Sequence, residues 1–366
     1  MKFFTETKTL NAGISAVIKS LSAKPTLPVL EGIFMETIPQ GLLLRCSDLS
    51  LQIECVIPAV VEEEGETVLP GKLFSEIVRK ITSETIDVRM EGKSAFIKGG
   101  RTRTTLQCME SKDYPALVMN GEVTRIALPQ NVCKDMIRQT VFACAQEDNK
   151  PALTGVLCEI NEDIFSMVAL DGFRLALRTY HMSAPAPEKK VIVPAKSFLE
   201  ISRALSDSDE LIQMQLTRTH LMFDMGHTKI ISRLLDSEYI NYKQILPKDH
   251  KSRVRINREE LLESLDRAIL IAREASNNLV RFSIKKENME LFANSQYGKL
   301  EEDIKIHLNG EELEIAFNAK YFSDVLKTLD DEEVYLDMLN NVSPCVVKPV
   351  FGDSYYYLIL PVRIFS

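Results

Sequence analysis

A carboxylate, a guanidinium and an imidazole lie near one another in the sequence at Asp171, Arg174 and His181. Side chains of these types can transfer protons and bind an anion, so an enzyme that uses all three is one hypothesis for this chain. The other four histidines are scattered, and the sequence contains no His-x-x-x-His pair and no Gly-x-x-x-x-Gly-Lys phosphate loop. No Ser-His-Asp set and no helix-borne pair of carboxylates is apparent either.

The seven cysteines include no Cys-x-x-Cys pair, which argues against a zinc site and against a disulfide framework. We therefore expect reduced, mostly buried thiols, and we expect no metal or other cofactor.

The segment that carries these residues belongs to a unit that occurs three times. The clearest copies begin at Leu69, Val193 and Phe317, a step of 124 residues, and read Leu-Pro-Gly-Lys-Leu-Phe, Val-Pro-Ala-Lys-Ser-Phe and Phe-Asn-Ala-Lys-Tyr-Phe. A period of this length indicates whole domains. We predict domains at residues 1–124, 125–250 and 251–366. Asp171 recurs as Asp48 and Ser295 at strand ends, which favours a turn residue over an acid or base.

Hydrophobic periodicity changes in the same order within each repeat. Apolar residues at helical spacing predict a first helix over 10–21, with counterparts at 132–144 and 261–271. Alternating or continuous apolar strings follow and predict strands, for example at 41–46, 51–55 and 164–169. The repeated Pro-x-Lys-x-Phe element then predicts a second helix, as over 72–81, preceded by Pro70 and Pro194 or capped by Asn318. The predicted fold is α+β, with two helices per repeat on one face of antiparallel sheet.

Charge is unevenly distributed along the 366 residues, which carry 44 basic and 52 acidic side chains for a net charge of −8. Five of the six predicted helices nevertheless have a positive excess, whereas the segment 257–275 is net negative. A basic helical face on an acidic body suits a polyanion held at one surface, although solvation of ordinary amphipathic helices explains the same pattern. No apolar run reaches the roughly 18 residues of a membrane span and no signal-peptide core is present, so we expect a cytoplasmic protein.

Several ordered motifs together resemble the bacterial β sliding clamp family, the processivity subunits of DNA polymerase III. The motifs are Met1-Lys2-Phe3, the run from Lys24 to Leu30, Asp171-Gly172-Phe173-Arg174-Leu175-Ala176, Val191 to Pro194, and Leu360-Pro361-Val362-Arg363. The resemblance covers essentially the whole chain. It implies the DNA clamp fold, in which three clamp-type domains have helices lining the inner face and antiparallel sheets outside, and two subunits close head to tail into a ring. It also implies a non-catalytic protein that slides on duplex DNA.

The resemblance implies three sites. The residues expected to face DNA are Lys24, Lys72, Arg79, Lys80, Lys150, Lys196, Arg203, Lys320 and Lys327. The residues expected to form a pocket for short, mostly apolar partner peptides, between the second and third domains, are Leu153, Leu170, Gly172, Phe173, Arg174, Leu175, Ile240, Gln244, Ile245, Asn318, Tyr321, Leu358, Leu360, Pro361, Val362 and Arg363. The residues expected at the dimer interface are Arg101, Arg103, Thr104, Leu106, Leu270 and Ile271.

The partners that the resemblance implies are duplex DNA, a second copy of the chain, the replicative DNA polymerase, the ATP-dependent clamp loader, translesion polymerases, mismatch-repair proteins and DNA ligase. This chain departs from some clamps at three pocket positions, with Phe173 in place of a histidine, Ile240 in place of a proline and Gln244 in place of a basic residue. These changes should remove polar contacts and enlarge the apolar wall of the pocket. The sequence also continues past the usual tail motif, so Phe365 could pack beside the pocket.

Two further expectations concern the joint and the tail. We expect Arg101 and Arg103, on an edge strand over 100–106, to face the acidic residues Glu263, Asp266 and Glu274 of the partner. The run from Tyr355 to Ile359 predicts a buried strand that ends over the pocket, with a simple edge strand as the alternative. An adaptor that binds peptides but not DNA is a third functional hypothesis, beside the clamp and the enzyme.

Overall fold

The computed structural model describes residues 1–22, 25–147, 150–274 and 278–363. The expectations for Lys24 and Phe365 fall outside these residues. Two compact units are present, the first formed by Met1–Asn131 with Lys196–Leu234 and the second by Val132–Ala195 with Leu235–Ser366.

Six α-helices are present in the described residues, two in each predicted repeat. They are α1 (Thr7–Val17), α2 (Gly71–Lys80), α3 (Gln130–Val141), α4 (Ala195–Ala204), α5 (Arg258–Ala272) and α6 (Ala319–Leu326).

Strands make up most of the remaining regular structure. Those of the first half of the chain are β1 (Lys2–Glu6), β2 (Gly32–Ile38), β3 (Gly41–Ser47), β4 (Leu51–Ile57), β5 (Val60–Glu63), β6 (Glu66–Pro70), β7 (Thr85–Glu91), β8 (Ser94–Gly99), β9 (Thr102–Gln107), β10 (Thr124–Pro129), β11 (Gly155–Leu170) and β12 (Arg174–Pro194). The second half contributes β13 (Leu211–Leu216), β14 (His220–Asp224), β15 (Thr228–Arg233), β16 (Ser252–Asn257), β17 (Leu279–Ile284), β18 (Asn288–Ser295), β19 (Gly298–Lys305), β20 (His307–Gly310), β21 (Leu313–Asn318), β22 (Glu333–Met338), β23 (Cys345–Pro349) and β24 (Tyr355–Ile359).

In the described residues, each unit contains two antiparallel sheets, and the larger sheet of each unit joins strands from two successive repeats. The first unit has a five-stranded sheet in the order β5-β1-β7-β8-β9 and an eight-stranded sheet in the order β10-β13-β14-β15-β4-β3-β2-β6. The second unit has a seven-stranded sheet, β11-β12-β24-β23-β22-β16-β20, and a four-stranded sheet, β19-β18-β17-β21. The joints between repeats are β15 with β4 and β12 with β24, both antiparallel.

The helices form where the periodicity predicts them, and packing explains which face is buried. In α2, Phe74 and Val78 are fully buried while Lys72, Leu73 and Arg79 face solvent. Asn257 caps the start of helix α5, since its side chain accepts the N–H of Glu260 at 3.0 Å, and the acidic first turn of α5 complements the helix dipole. The predicted cap of α6 is also confirmed, because the Asn318 side chain accepts the N–H of Lys320 at 3.0 Å.

Two expectations about elements were wrong. A short strand, β1, β10 or β16, precedes the first helix of every repeat, whereas the sequence interpretation began each repeat with the helix. These strands bury only two or three side chains each, for example Phe3 and Thr5 of β1, so their alternation is too short to be conspicuous. The edge-strand alternative for 355–359 was also wrong, since β24 lies between β12 and β23 inside its sheet.

Candidate functional site

The turn between β11 and β12 is built by Asp171. Its Oδ1 accepts the backbone N–H groups of Phe173 at 2.9 Å and Arg174 at 3.0 Å, while Gly172 adopts a positive φ of 94° that favours glycine. Asp48 makes the same pair of bonds to Ser50 and Leu51 in the first repeat. The expectation that Asp171 is a turn residue is therefore confirmed.

All three nitrogens of the Arg174 guanidinium donate hydrogen bonds. Nε donates to Asp171 at 3.1 Å, one terminal nitrogen donates to Asp324 of α6 at 2.6 Å, and the other donates to the carbonyl oxygen of Phe142 at 2.8 Å. The guanidinium also lies over the Tyr321 ring at 4.8 Å. Two carboxylates thus outweigh the single positive charge. The side chain, 11% exposed, fixes the turn against α6.

The enzyme hypothesis was wrong, because His181 does not join this group. Leu170 pairs with Leu175 beside the turn, whereas His181 pairs with Ile164, six positions farther along the hairpin, roughly 20 Å away at about 3.3 Å per residue. His181 is exposed there, with Nδ1 3.6 Å from a carboxylate oxygen of Asp163.

The chain segment after β24 runs close to the same turn. The N–H of Leu360 donates to the carbonyl oxygen of Phe173 at 2.9 Å, and the N–H of Val362 donates to Ala316 of β21 at 2.8 Å. The Phe173 ring stacks on Tyr321, with centroids 6.1 Å apart and planes inclined by 21°. The tail and the turn therefore form one continuous surface with α6.

A loop with a single 3₁₀ turn, Tyr242–Gln244, is connected to the same part of the unit, because Tyr242 belongs to one buried apolar cluster with Leu170, Leu175 and Leu358. Tyr242 is buried, and its hydroxyl donates to Glu159 at 2.5 Å; Lys190 donates to the same carboxylate at 3.0 Å. Burial alone raises the pKa of Glu159, but the hydrogen bonds from Tyr242 and Lys190 lower it below its ordinary value. Burial and the bond to Glu159 both raise the pKa of Tyr242. Glu159 thus anchors the loop that carries Ile240, Gln244 and Ile245.

The predicted pocket residues divide into a buried and an exposed group, all within the second unit. Leu153, Leu170, Leu175 and Leu358 belong to one buried apolar cluster together with Tyr242. Large apolar side chains exposed by more than a third are Phe173, Ile240, Ile245 and Leu360. Gly172, Gln244 and Arg363 are also exposed, Pro361 and Val362 are half-buried, and the Asn318 side chain is occupied as a helix cap. An exposed apolar surface on a rigid buried support can bind an apolar chain segment.

Sequence reasoning missed Glu159, Tyr242 and Asp324 as the residues that position this surface. Asp324 is 150 residues from Arg174, and only the repeat could have indicated it, since the step of 124 places Asp324 in register with Glu200 and Glu76.

The predicted DNA-facing residues that are described are all exposed, but they differ in their ionic partners. Lys72, Arg79, Lys80, Lys150 and Lys320 lie within 4 Å of no acidic side chain among the described residues. Lys196 pairs with Asp48 at 2.7 Å, Lys327 pairs with Asp266 at 3.0 Å, and Arg203 pairs with Glu200. Only the Lys327–Asp266 pair is exposed on both sides and therefore weak, whereas the carboxylates of Asp48 and Glu200 are largely buried.

The predicted interface residues lie at or near sheet edges. Strand β9 is the edge of its sheet, as predicted; it exposes Arg103, half-buries Thr104 and buries Leu106, and the exposed Arg101 precedes it. On α5, Leu270 is exposed and Ile271 is half-buried. Acidic residues expected to meet the two arginines already have cations beside them in the chain: Glu263 has Arg267, Asp266 has Lys327 and Glu274 has Arg273.

The part of the chain that the structure describes contains no group of three or more histidine, cysteine or acidic side chains suited to a metal ion. It also contains no helix long and apolar enough to cross a membrane.

Paired helices on antiparallel sheets in three repeats define a clamp-type fold. Three models of the DNA polymerase III beta subunit match the chain, the N-terminal domain over residues 1–118, the central domain over 127–241 and the C-terminal domain over 243–363. The chain therefore belongs to the bacterial β sliding clamp family, whose members are non-catalytic processivity factors of DNA polymerase III.

Individual relatives agree with this assignment over the full length. The β sliding clamp of Bacillus subtilis is 33% identical, with 99% of this chain and 100% of that protein covered. The crystal structure of the Bacillus subtilis clamp matches with a TM-score of 0.97 and 33% identity, and that of a putative beta subunit from Eubacterium rectale matches with 0.95 and 34%, each covering 100% of both chains.

Proposed function

We propose that two copies of this chain close head to tail into a ring around duplex DNA and tether partner proteins through the apolar surface beside the 171–174 turn. The proposed domains are 1–124, 125–250 and 251–366. The observation that supports this proposal is a strand pairing that occurs at both junctions between repeats, here called a joint. Strand β4 pairs with β15 of the next repeat, and β12 pairs with β24 of the next repeat.

At the third position of this joint, the two strands that would pair remain unpaired with each other among the described residues. Strand β19 is the counterpart of β4 and β12, and β9 is the counterpart of β15 and β24; each is left as a sheet edge. Edge strands with free hydrogen-bonding groups pair readily with another chain. Arg103 on β9 and Asp303 on β19 also supply opposite charges for such pairing, whereas Glu301 and Glu302 already pair with Lys299 and Arg267. Helix α5 packs on β19, which supports the expectation that Leu270 and Ile271 belong to the same interface.

The exposed basic residues of α2, α4 and α6 support the proposed contact with DNA. Lysine and arginine side chains that touch only phosphate hold a duplex without reading its sequence, and topological retention lets that affinity stay modest. The residues that we expect to face DNA are those predicted from the sequence. Lys72, Lys196 and Lys320 occupy equivalent positions in the three repeats.

The proposed peptide site takes short, mostly apolar segments of partner proteins. Phe173, Ile240, Ile245 and Leu360 supply exposed apolar area, and the ion-paired Arg174 adds no net positive charge. We expect the replicative polymerase, the ATP-dependent clamp loader, translesion polymerases, mismatch-repair proteins and DNA ligase to bind here, in the cytoplasm at the nucleoid.

Light scattering across a dilution series, followed by retention on DNA, tests the ring. We expect twice the chain mass, and we expect protein incubated at high concentration with a nicked circular plasmid to stay bound in gel filtration and to be released when the plasmid is linearised. A monomer at all concentrations would contradict the ring. Equal retention on circular and linear DNA would indicate ordinary DNA binding, and no retention on either would favour the adaptor.

Fluorescence polarisation with labelled apolar hexapeptides tests the peptide site separately. The Phe173→Ser variant, which installs the residue found at the matching position 50, should bind at least tenfold more weakly, because one anchor residue often dominates such sites. A matched change of the exposed Phe351 to Ser should leave binding unchanged.

A further inference from the structure

Among the large apolar side chains that are exposed without a role in the sites described above, two are related by the repeat. Tyr297, in the turn before β19, is 74% exposed, and Leu73, on the outer face of α2, is 50% exposed. An exposed aromatic and an exposed leucine on separate repeats are unremarkable singly, but the threefold repeat relates these two to each other.

The repeat places Tyr297 in register with Phe173, and Leu73 in register with Tyr321. The first correspondence is a step of 124 residues, the same as that between the turn residues Asp171 and Ser295. The second is a step of twice 124 residues within the Pro-x-Lys-x-Phe element. In the second unit, Phe173 stacks on Tyr321 of the next repeat.

The two turns share one hydrogen bond. The N–H of Tyr297 donates to the Ser295 side chain at 3.2 Å, as the N–H of Phe173 donates to Asp171 at 2.9 Å. The residue before each aromatic side chain differs, since Gly172 has a positive φ of 94° and Gln296 does not have a positive φ. The correspondence of Tyr297 with Phe173 therefore rests on the register of the repeat and on this hydrogen bond.

An ionic pair accompanies each joint between successive repeats. Asp48 of the first turn pairs with Lys196 of α4 at 2.7 Å, and Arg174 of the second turn pairs with Asp324 of α6 at 2.6 Å. The third turn has Ser295 in place of the aspartates and Gly298 in place of Arg174. On α2, the matching Lys72 and Glu76 are exposed and have no ionic partner among the described residues.

We propose that Tyr297 of one copy packs on Leu73 of α2 in a second copy, and that this apolar contact replaces the ionic pair at the subunit joint. The inference rests on the proposed ring and identifies the contact that closes it. The joint that must open to admit DNA is then the one joint without a charged pair between turn and helix.

A double-mutant cycle on dimerisation tests this contact. Tyr297→Ser and Leu73→Ala should each raise the dimer dissociation constant by about tenfold or more, since an aromatic contact at an interface centre is lost. The double variant should lose little more than the larger single change, because both substitutions remove the same contact. Both positions are exposed, and Tyr297→Ser reproduces the residue of the first repeat, so folding should be preserved.

Ser295→Asp supplies a second, opposite measurement. It should lower the dissociation constant by about threefold or more by restoring a pair with Lys72 of the other copy, and Lys72→Ala should abolish that gain. Phe351→Ser is the control for loss of an exposed aromatic residue, and it should leave dimerisation unchanged.

The possible failures are distinguishable. A wild-type chain that stays monomeric contradicts the ring itself. A wild-type dimer with additive or absent effects of Tyr297→Ser and Leu73→Ala contradicts the proposed contact and leaves the ring intact.

Discussion

At the scale of single residues, Arg174 connects three separate segments of the second unit: its own turn, helix α6 through Asp324 and the end of α3 through Phe142. Arg174→Ala should lower the free energy of unfolding by about 3 kcal/mol, because it leaves two partly buried carboxylates without their cation. Urea denaturation measures this, with the exposed Arg79→Ala as control. A loss no larger than that of the control would show that the network contributes little.

Glu159 predicts a pH dependence. Its pKa is lowered in the folded protein, so its carboxylate contributes stability above the ordinary pKa near 4.5, and this contribution disappears as the pH falls through the folded value. Glu159→Gln should therefore be less stable than the wild type at about pH 6, and the difference should shrink towards about pH 3. Thermal unfolding across this range measures the difference; a constant gap would contradict the titration.

The role of a residue was predictable where the repeat places residues of similar type at the equivalent positions. Asp171 could be assigned to a turn because Asp48 and Ser295 share its position. The partners of Arg174 and Tyr242 were not predictable, because Asp324 and Glu159 are brought to them from 150 and 83 residues away by the fold.

At the scale of elements, Asn318 shows that a predicted helix cap has a measurable energy. Asn318→Ala should destabilise the protein by about 1 kcal/mol, since the N–H of Lys320 loses its acceptor. Asn318→Ser retains an acceptor and should lose clearly less, which separates capping from side-chain volume. Chemical denaturation of the three proteins in parallel measures this; equal losses would exclude the cap as the cause.

Elements with a continuous apolar run or with helical periodicity were the predictable ones. The run 355–359 coincides with β24, and the predicted second helix over 72–81 differs from α2 by one residue at each end. The five- or six-residue strands β1, β10 and β16 were missed because a short alternating run carries little information beside a strong helix.

At the scale of the whole molecule, charge on α2 predicts the behaviour on DNA. Reversing Lys72, Arg79 and Lys80 to Glu should weaken binding to duplex DNA and reduce the slope of log affinity against log salt by up to about three, one per lost phosphate contact. Anisotropy titrations over a salt series measure both quantities. Reversal of three exposed lysines elsewhere, Lys112, Lys248 and Lys286, matches the change in net charge. Equal effects of the two sets would attribute the loss to net charge alone.

The number of repeats was predictable from the sequence, but the way in which strands are shared between them was not. A spacing of 124 residues identifies similar segments, yet nothing in the composition of β4 or β12 indicates that each is completed by the following repeat. That pairing depends on edges that exist only once the sheets have formed.

Because two of the sheets contain strands from successive repeats, some strands are synthesised on the ribosome long before the strands that pair with them. β4 is made about 170 residues before its neighbour β15, a delay of roughly 10 to 30 s at about 5 to 20 residues per second. Throughout that interval the growing chain presents the edge of β4, including Leu51 and Ile53, to whatever is nearby. The nascent chain should therefore depend most on chaperones midway through translation, and slower translation of residues 58–228 should lower the yield of folded protein.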